Sequence, residues 1–70
     1  MENEYRITIG KKLESIRLEK GISLRSLAET TGYNYSNIRR VELGKYNTGI
    51  DIVGRIANAL GCDLAIIKRK

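Results

Sequence analysis

The chain has 70 residues, the size of one small domain with a limited core, for which dimerisation is a natural supplement to stability. Its formal net charge is +5, with 30 % charged and 41 % hydrophobic residues. The composition is that of a globular protein, and the basic excess favours a polyanionic partner such as nucleic acid, an anionic membrane surface or an acidic protein. A single cysteine and the lack of histidine exclude an intramolecular disulfide, a cysteine-rich zinc site and the usual general base.

The spacing of apolar residues predicts a first helix from about Glu4 to Lys20. The apolar residues of this helix share one face: Tyr5, Ile9, Leu13 and Ile16. Gly10 inside the helix costs about 1 kcal/mol relative to alanine, so either this end frays or another element packs close to it. Gly21 is expected to end the helix.

A helix-turn-helix is predicted over residues 23–44. Its first helix covers about Leu24–Thr31, with Ser23 as N-cap and Gly32 after its end. Its second helix, the third of the chain, starts at the N-cap Asn34 and ends at Gly44. Two helices joined by a glycine turn within about twenty residues lie roughly crosswise.

The third helix has two distinct faces. At about 100° per residue, Ile38 and Val41 share one face, with Glu42 at its edge. The opposite face carries four residues: Ser36, Arg39, Arg40 and Leu43. Hydrogen-bonding side chains in the first turn of a basic helix suit a DNA major groove. The alternative is an ordinary amphipathic helix whose arginines are only solvated.

A fourth helix is predicted from about Ile50 to Leu60, with Thr48 as N-cap, Asp51 in the reciprocal capping position and Gly61 after its end. Its apolar stripe is broad: Ile52, Val53, Ile56, Ala59 and Leu60. The polar stripe is narrow, which predicts that this helix is the central one, in contact with several others.

The tail, residues 62–70, fits either a final helical turn or a short strand, and two adjacent isoleucines before a basic end favour the strand. A lone strand has no stability of its own, so its obvious partner is its copy in a second subunit. Leu64, Ile66 and Ile67 are therefore the expected dimer contacts, while Cys62 is expected to be a small core residue.

Three segments match one known family in order and spacing: Lys-Gly-Ile-Ser-Leu-Arg-Ser-Leu-Ala-Glu-Thr-Thr-Gly, Ser-Asn-Ile-Arg-Arg-Val-Glu-Leu-Gly-Lys and Ile-Ala-Asn-Ala-Leu-Gly. Over about residues 8–62 the chain resembles the Cro-like helix-turn-helix family of phage-type repressors, also called the xenobiotic response element family. The resemblance implies an all-α fold, a compact domain of four or five helices, with or without a short C-terminal strand. It also implies a dimer bound to two half-sites on duplex DNA, with the first turn and outer face of the third helix in the major groove.

Carried over by matching position, the resemblance implies that the third helix reads bases through Tyr35, Ser36 and Arg40. Asn37 and Arg39 are implied as flanking contacts. Phosphate contacts are expected from the start of the second helix and the loop after the third: Ser23, Arg25, Lys45, Tyr46 and Asn47.

Many members carry glutamine at the positions of Leu24 and Tyr35, where the first braces against phosphate and the second reads a base. Here the phosphate contact of Leu24 would pass to Arg25. The family pairs the positions of Arg17 and Glu42 in a salt bridge, which implies the same pair in this chain. The alternative is that both side chains are exposed.

Together these features predict a sequence-specific regulator of transcription, a repressor that occupies an operator as a homodimer. The alternative is an antitoxin that binds a toxin protein and autoregulates its operon. An enzyme and a cofactor are not expected, because the serines have no activating partner and no phosphate loop or metal-ligand cluster is present. The lack of a membrane-spanning apolar run and the acidic start, unlike a signal peptide, predict a cytoplasmic protein without a membrane partner.

Overall fold

Among the described residues of the computed structural model, 4–45 and 49–69, four α-helices follow one another along the chain. Their bounds are Glu4–Glu19 for α1, Leu24–Thr31 for α2, Tyr35–Glu42 for α3 and Ile50–Ala59 for α4. Each helix lies within a residue or two of its predicted range, so the all-α prediction is confirmed. None of these helices is long and apolar enough to cross a bilayer.

Side-chain caps start α2 and α3 where the sequence predicts them. Ser23 Oγ accepts a hydrogen bond from the backbone N–H of Ser26 at 3.0 Å, and Asn34 Oδ1 accepts one from that of Ser36 at 2.8 Å. Each bond satisfies a backbone donor that the helix leaves unpaired. Gly32 between the helices has a φ of 80°, a left-handed conformation that glycine adopts without a Cβ clash. The helix-turn-helix is therefore encoded locally at both of its junctions.

The start of α4 differs from the prediction. Gly49 is the N-cap, with a φ of −79° and a ψ of 165°, and no side-chain hydrogen bond caps the helix. Thr48, the predicted N-cap, lies outside the described residues. Asp51 lies in the first turn, where its negative charge complements the positive end of the helix dipole. The N-cap is therefore one residue later than predicted, and the predicted pairing of Asp51 with Thr48 involves a residue outside the described ones.

The core is built from all four helices, and its buried apolar residues are Leu13, Leu27, Ile38, Val41, Val53, Ile56, Ala57 and Leu60. Helix α3 packs against both α1 and α2, while the most extensive packing of α4 is against α2. The expectation that α4 is the central helix is therefore wrong. A broad apolar stripe shows that a helix is buried, but it does not show how many partners bury it.

The apolar face of α1 is buried over only part of its length. Leu13 is buried, whereas Ile9 is exposed and Tyr5 is 80 % exposed. The predicted face is right in its spacing but wrong in its extent. Ile7 contacts Gly44, which lies beyond the end of α3, so the turn of α1 before Ile7 extends past its partner helix.

Gly10 is buried because α3 approaches α1 closely at this position. A Cβ atom here would overlap the backbone carbonyl oxygens of Val41 and Glu42. Of the two alternatives that the sequence leaves open for Gly10, close packing is therefore the correct one.

The tail forms neither a helix nor a strand over residues 62–69, so the predicted strand is wrong for the single chain. The physical reason is that a strand needs a hydrogen-bonding partner, and the described residues place none beside it. Cys62 packs half-buried against the core, close to its expected position. Ile66 and Ile67 are 96 % and 88 % exposed.

Candidate nucleic-acid interface

Buried residues on the inner face of α3 fix the orientation of its outer face. Ile38 and Val41 are buried in the core and anchor the helix. Ser36 and Arg40 lie on the opposite side of the helix, and both are exposed. Leu43, just past the last turn, is also exposed. The face that the sequence predicts for a ligand is therefore accessible in the structure.

The predicted base contacts in the first turn of α3 fall into two groups. Tyr35 and Ser36 are exposed, as is Arg40 one turn further along. Asn37 is half-buried and lines a small cleft between α3 and α4 together with Tyr33. Asn37 is therefore turned toward α4, at the edge of the exposed group.

Arg39, the remaining predicted base contact, is bound by two carboxylates. Its Nη1 donates to Glu14 Oε2 of α1 at 2.6 Å and to Glu42 Oε1 at 3.1 Å. The hydrogen bond to Glu14, followed by the one to Glu42, raises the pKa of the Arg39 guanidinium above its ordinary value. The structure thus directs Arg39 toward α1, while its neighbour Arg40 lies on the outer face.

The ion pair between Arg17 and Glu42 is present. Arg17 Nε donates to Glu42 Oε2 at 2.6 Å and Nη2 donates to Oε1 at 3.2 Å, with Glu42 2 % and Arg17 7 % exposed. Nη1 of Arg17 donates to the backbone carbonyl of Ile22 at 2.9 Å. One arginine therefore joins the end of α1 to α3 and to the turn that leads into α2.

Three of the five predicted phosphate contacts lie in the described residues. Ser23, at the start of α2, and Arg25 in its first turn are exposed. Lys45, which follows α3, is exposed as well. Tyr46 and Asn47 lie outside the described residues. The hydroxyl of Ser23 already accepts the capping bond, which leaves its O–H free to donate to an anion.

A shallow groove between α2 and α3 has Arg25, Tyr33 and Tyr35 among its lining residues. Glu29 lines the same groove, so the groove carries both a cation and a carboxylate. Leu24 packs half-buried against the core. Leucine here serves packing, which is consistent with Arg25 taking over a phosphate contact at this end of α2.

Two charged residues near this surface were not among the predicted site residues. Arg55 of α4 lies over the ring of Tyr33, with 5.7 Å from its guanidinium carbon to the ring centroid, a cation–π distance. Glu14 binds Arg39. Glu14 and Arg17 are three residues apart and therefore lie on one side of α1. This spacing is the only sequence signal that Glu14 faces α3, where Arg39 is. The Arg55 contact depends on how α4 packs, and no sequence pattern indicates it.

A separate apolar groove of about 340 Å³, here called the tail groove, opens between the starts of α1 and α4 and the tail. Its apolar lining includes Tyr5, Ile9, Ile50, Val53, Leu64 and Ile66. Most of these side chains are exposed in the single chain. Exposed apolar surface of this kind is typical of a protein–protein contact.

The chain was compared with protein families, curated proteins and solved structures. A helix-turn-helix family model matches residues 13–67. Two crystal structures of the clp gene regulator ClgR from Corynebacterium glutamicum are similar, each at 29 % sequence identity. The first has a TM-score of 0.78, and the match covers 83 % of this chain and 62 % of the ClgR chain. The second has a TM-score of 0.80, and the match covers 84 % of this chain and 76 % of the ClgR chain. This chain thus spans less than two thirds of the first ClgR chain.

The comparison with curated proteins found no match. The family match covers more than half of the chain. The chain therefore belongs to the Cro-like helix-turn-helix family.

Proposed function

We propose that this chain binds a specific duplex DNA sequence as a homodimer and represses transcription by occupying an operator. The observation that carries the proposal is the exposed outer face of α3, with Ser36 and Arg40 accessible on a helix anchored by Ile38 and Val41. A basic helix of this width enters the major groove of B-DNA, where each base pair presents its own pattern of donors and acceptors. The similar crystal structures are of ClgR, a clp gene regulator, which supports the same class of function.

The proposed base contacts differ in their chemistry. Arg40 is suited to a bidentate contact with guanine O6 and N7, and the hydroxyl of Ser36 to either a donor or an acceptor edge. The exposed ring of Tyr35 is suited to contact with a thymine methyl group or a sugar. Asn37 is the flanking contact on the α4 side of the helix.

The proposed phosphate contacts come before and after α3 in the chain. Before α3, Ser23 and Arg25 are at the start of α2, where the positive end of the helix dipole also favours an anion. After α3, Lys45 is followed in the chain by Tyr46 and Asn47. These contacts position the domain on the duplex and carry no sequence information by themselves.

Selection of bound duplexes from a random pool, at stated salt concentration, tests the proposed function and supplies the operator. Replacing Arg40 by alanine is then expected to cost about 1–3 kcal/mol on the selected duplex and to relax the preference at one base pair. Replacing Lys45 by alanine is expected to weaken binding to all sequences alike and to lower the salt slope by about 0.9. Fluorescence anisotropy on the selected and on a scrambled duplex measures both effects.

The two variants serve as controls for each other, because each removes one positive charge from the same protein. The assigned roles are wrong if both variants lose affinity equally on the two duplexes. A wild-type domain that selects no sequence and ignores DNA at low salt would contradict the proposed function itself.

The proposed dimer uses the tail. Leu64 and Ile66 line the tail groove and Ile67 is exposed beside it, so a second copy could cover apolar surface from both chains at once. Two copies related by a two-fold axis would place their α3 helices on half-sites about 34 Å apart along the duplex.

Changing both Ile66 and Ile67 to aspartate is expected to convert the dimer into a monomer, because each copy then brings two carboxylates into an apolar contact. Sedimentation velocity measures the change. The matched control is Leu18→Asp, which charges an exposed apolar position of α1 that is not among the lining residues of the tail groove. A double variant that remains as dimeric as the wild type would exclude the tail as the interface.

The antitoxin alternative would use the same apolar surface for a toxin. It gains support if the wild-type chain is monomeric in solution and its gene lies beside a small toxin-like reading frame.

A further inference from the structure

Arg39 belongs to a chain of four charged side chains that links α1 to α3. Glu14 of α1 accepts from Arg39, and Arg39 also donates to Glu42 in its own helix. Glu42 in turn accepts two hydrogen bonds from Arg17 of α1. Negative and positive groups alternate along this chain, two of each, so its formal net charge is zero.

The charges around Arg39 direct its guanidinium away from the outer face of α3. Arg39 and Arg40 are neighbours, so their side chains leave the helix about 100° apart. Arg40 is on the outer face, whereas Arg39 Nη1 lies 2.6 Å from Glu14 on α1. A guanidinium already compensated by two carboxylates adds little positive potential for a phosphate.

The contact with Glu14 lies one turn of α1 away from a second close contact with α3. Gly10 is four residues before Glu14, on the same side of the helix. At Gly10 the backbones of the two helices meet, with no room for a Cβ atom beside Val41 and Glu42. Backbone contact at Gly10 sets the distance between α1 and α3, and the bridge from Glu14 to Arg39 restrains rotation about that point.

We propose that Arg39 is a positioning residue, which sets the orientation of α3 on α1 through Glu14 and thereby the placement of Ser36 and Arg40 against the bases. The inference rests on the proposed function, since it concerns how this domain discriminates between DNA sequences. It replaces the direct base contact that the family resemblance implies for Arg39.

The two roles of Arg39 predict opposite effects of removing its partner. If Arg39 contacted DNA, the change Glu14→Gln would release it and remove a negative charge, so DNA binding would strengthen. If Arg39 positions α3, the same change removes the restraint, and binding to the selected duplex weakens relative to a scrambled one. Glutamine has nearly the shape of glutamate, so this variant tests the charge contact with little change in packing.

The experiment compares the wild type, Glu14→Gln, Arg39→Met and the double variant on the selected duplex and on a scrambled duplex of the same length, over a range of salt concentrations. Each single variant is expected to lower the ratio of the two affinities roughly fivefold, and the double variant no further than Arg39→Met, because both changes break the contact between Glu14 and Arg39. The salt slope of Arg39→Met is expected to stay at the wild-type value. Arg39→Lys, which keeps a cation for Glu14, is expected to recover most of the ratio.

Several results would overturn the positioning role: an unchanged or higher ratio of the two affinities in Glu14→Gln, a salt slope lowered by about 0.9 in Arg39→Met, or additive losses in the double variant. An equal loss on both duplexes would also overturn it, since a loss of folded protein alone leaves the ratio unchanged. A wild-type chain that selects no duplex would instead overturn the proposed function, and this inference with it.

Discussion

Replacing Arg17 by alanine is expected to destabilise the domain by about 3–5 kcal/mol, because the change leaves the carboxylate of Glu42 buried without its main partner. Glu42 is 2 % exposed, so water cannot replace the two hydrogen bonds it loses. The backbone carbonyl of Ile22 loses its donor as well. A domain of 70 residues has roughly 4–10 kcal/mol of total stability, so this variant is expected to be near the limit of folding.

Arg39 limits the size of this loss, since its Nη1 still reaches Glu42 Oε1 at 3.1 Å. That contact is partly exposed and uses one oxygen of the carboxylate, whereas Arg17 uses both. Arg39 therefore compensates for the buried charge only in part.

The control for Arg17→Ala is the double variant Arg17→Met with Glu42→Leu, which replaces the pair by apolar side chains of similar volume. Buried ion pairs exchanged in this way are often neutral or even stabilising, so most of the stability is expected to return. Urea unfolding followed by circular dichroism measures all the variants. If Arg17→Ala melts like the wild type, the ion pair does not stabilise the fold.

Replacing Gly10 by alanine is expected to destabilise the domain by about 3 kcal/mol or more, because the new methyl group meets backbone rather than a movable side chain. The carbonyl oxygens of Val41 and Glu42 belong to α3, so α1 and α3 must separate to make room. DNA binding is expected to fall further than stability predicts in the fraction that remains folded, because α3 carries the proposed base contacts.

The matched control is Gly54→Ala, the same substitution inside α4. A Cβ atom at Gly54 would meet only Leu64 Cδ2, at 3.9 Å, an ordinary van der Waals distance. Alanine favours a helix interior over glycine by about 1 kcal/mol, so this variant is expected to be as stable as the wild type or more so. The two substitutions therefore predict changes of opposite sign, and thermal melting of both variants checks them. Equal melting temperatures would show that the close approach of α3 at Gly10 is absent in solution.

Local signals in the sequence predict the helices and their junctions well. Ser23 and Asn34 cap α2 and α3 because a side-chain oxygen reaches backbone donors two or three residues on, a relation contained within a few residues. The inner face of α3 follows from the spacing of Ile38 and Val41 in the same way. These predictions depend only on neighbours in the chain.

The sequence predicts less well which helices pack together and over what length. The apolar spacing of α1 includes Tyr5 and Ile9, yet both are exposed and line the tail groove, and the stripe of α4 does not show that α2 is its main partner. The tail was predicted as a strand from its composition, but strand formation depends on a partner that composition cannot supply.

The helix-turn-helix, its caps and the inner face of α3 follow from the amino-acid sequence, and the pair of Arg17 and Glu42 follows from the family resemblance. Only the tertiary structure decided that Arg39 turns to Glu14, that Gly10 lies against the carbonyls of α3, and that an apolar groove opens beside the tail. The physical reason is distance along the chain. Caps and helix faces depend on residues up to four positions apart, whereas Glu14 and Arg39 are 25 positions apart and meet only when α1 and α3 pack.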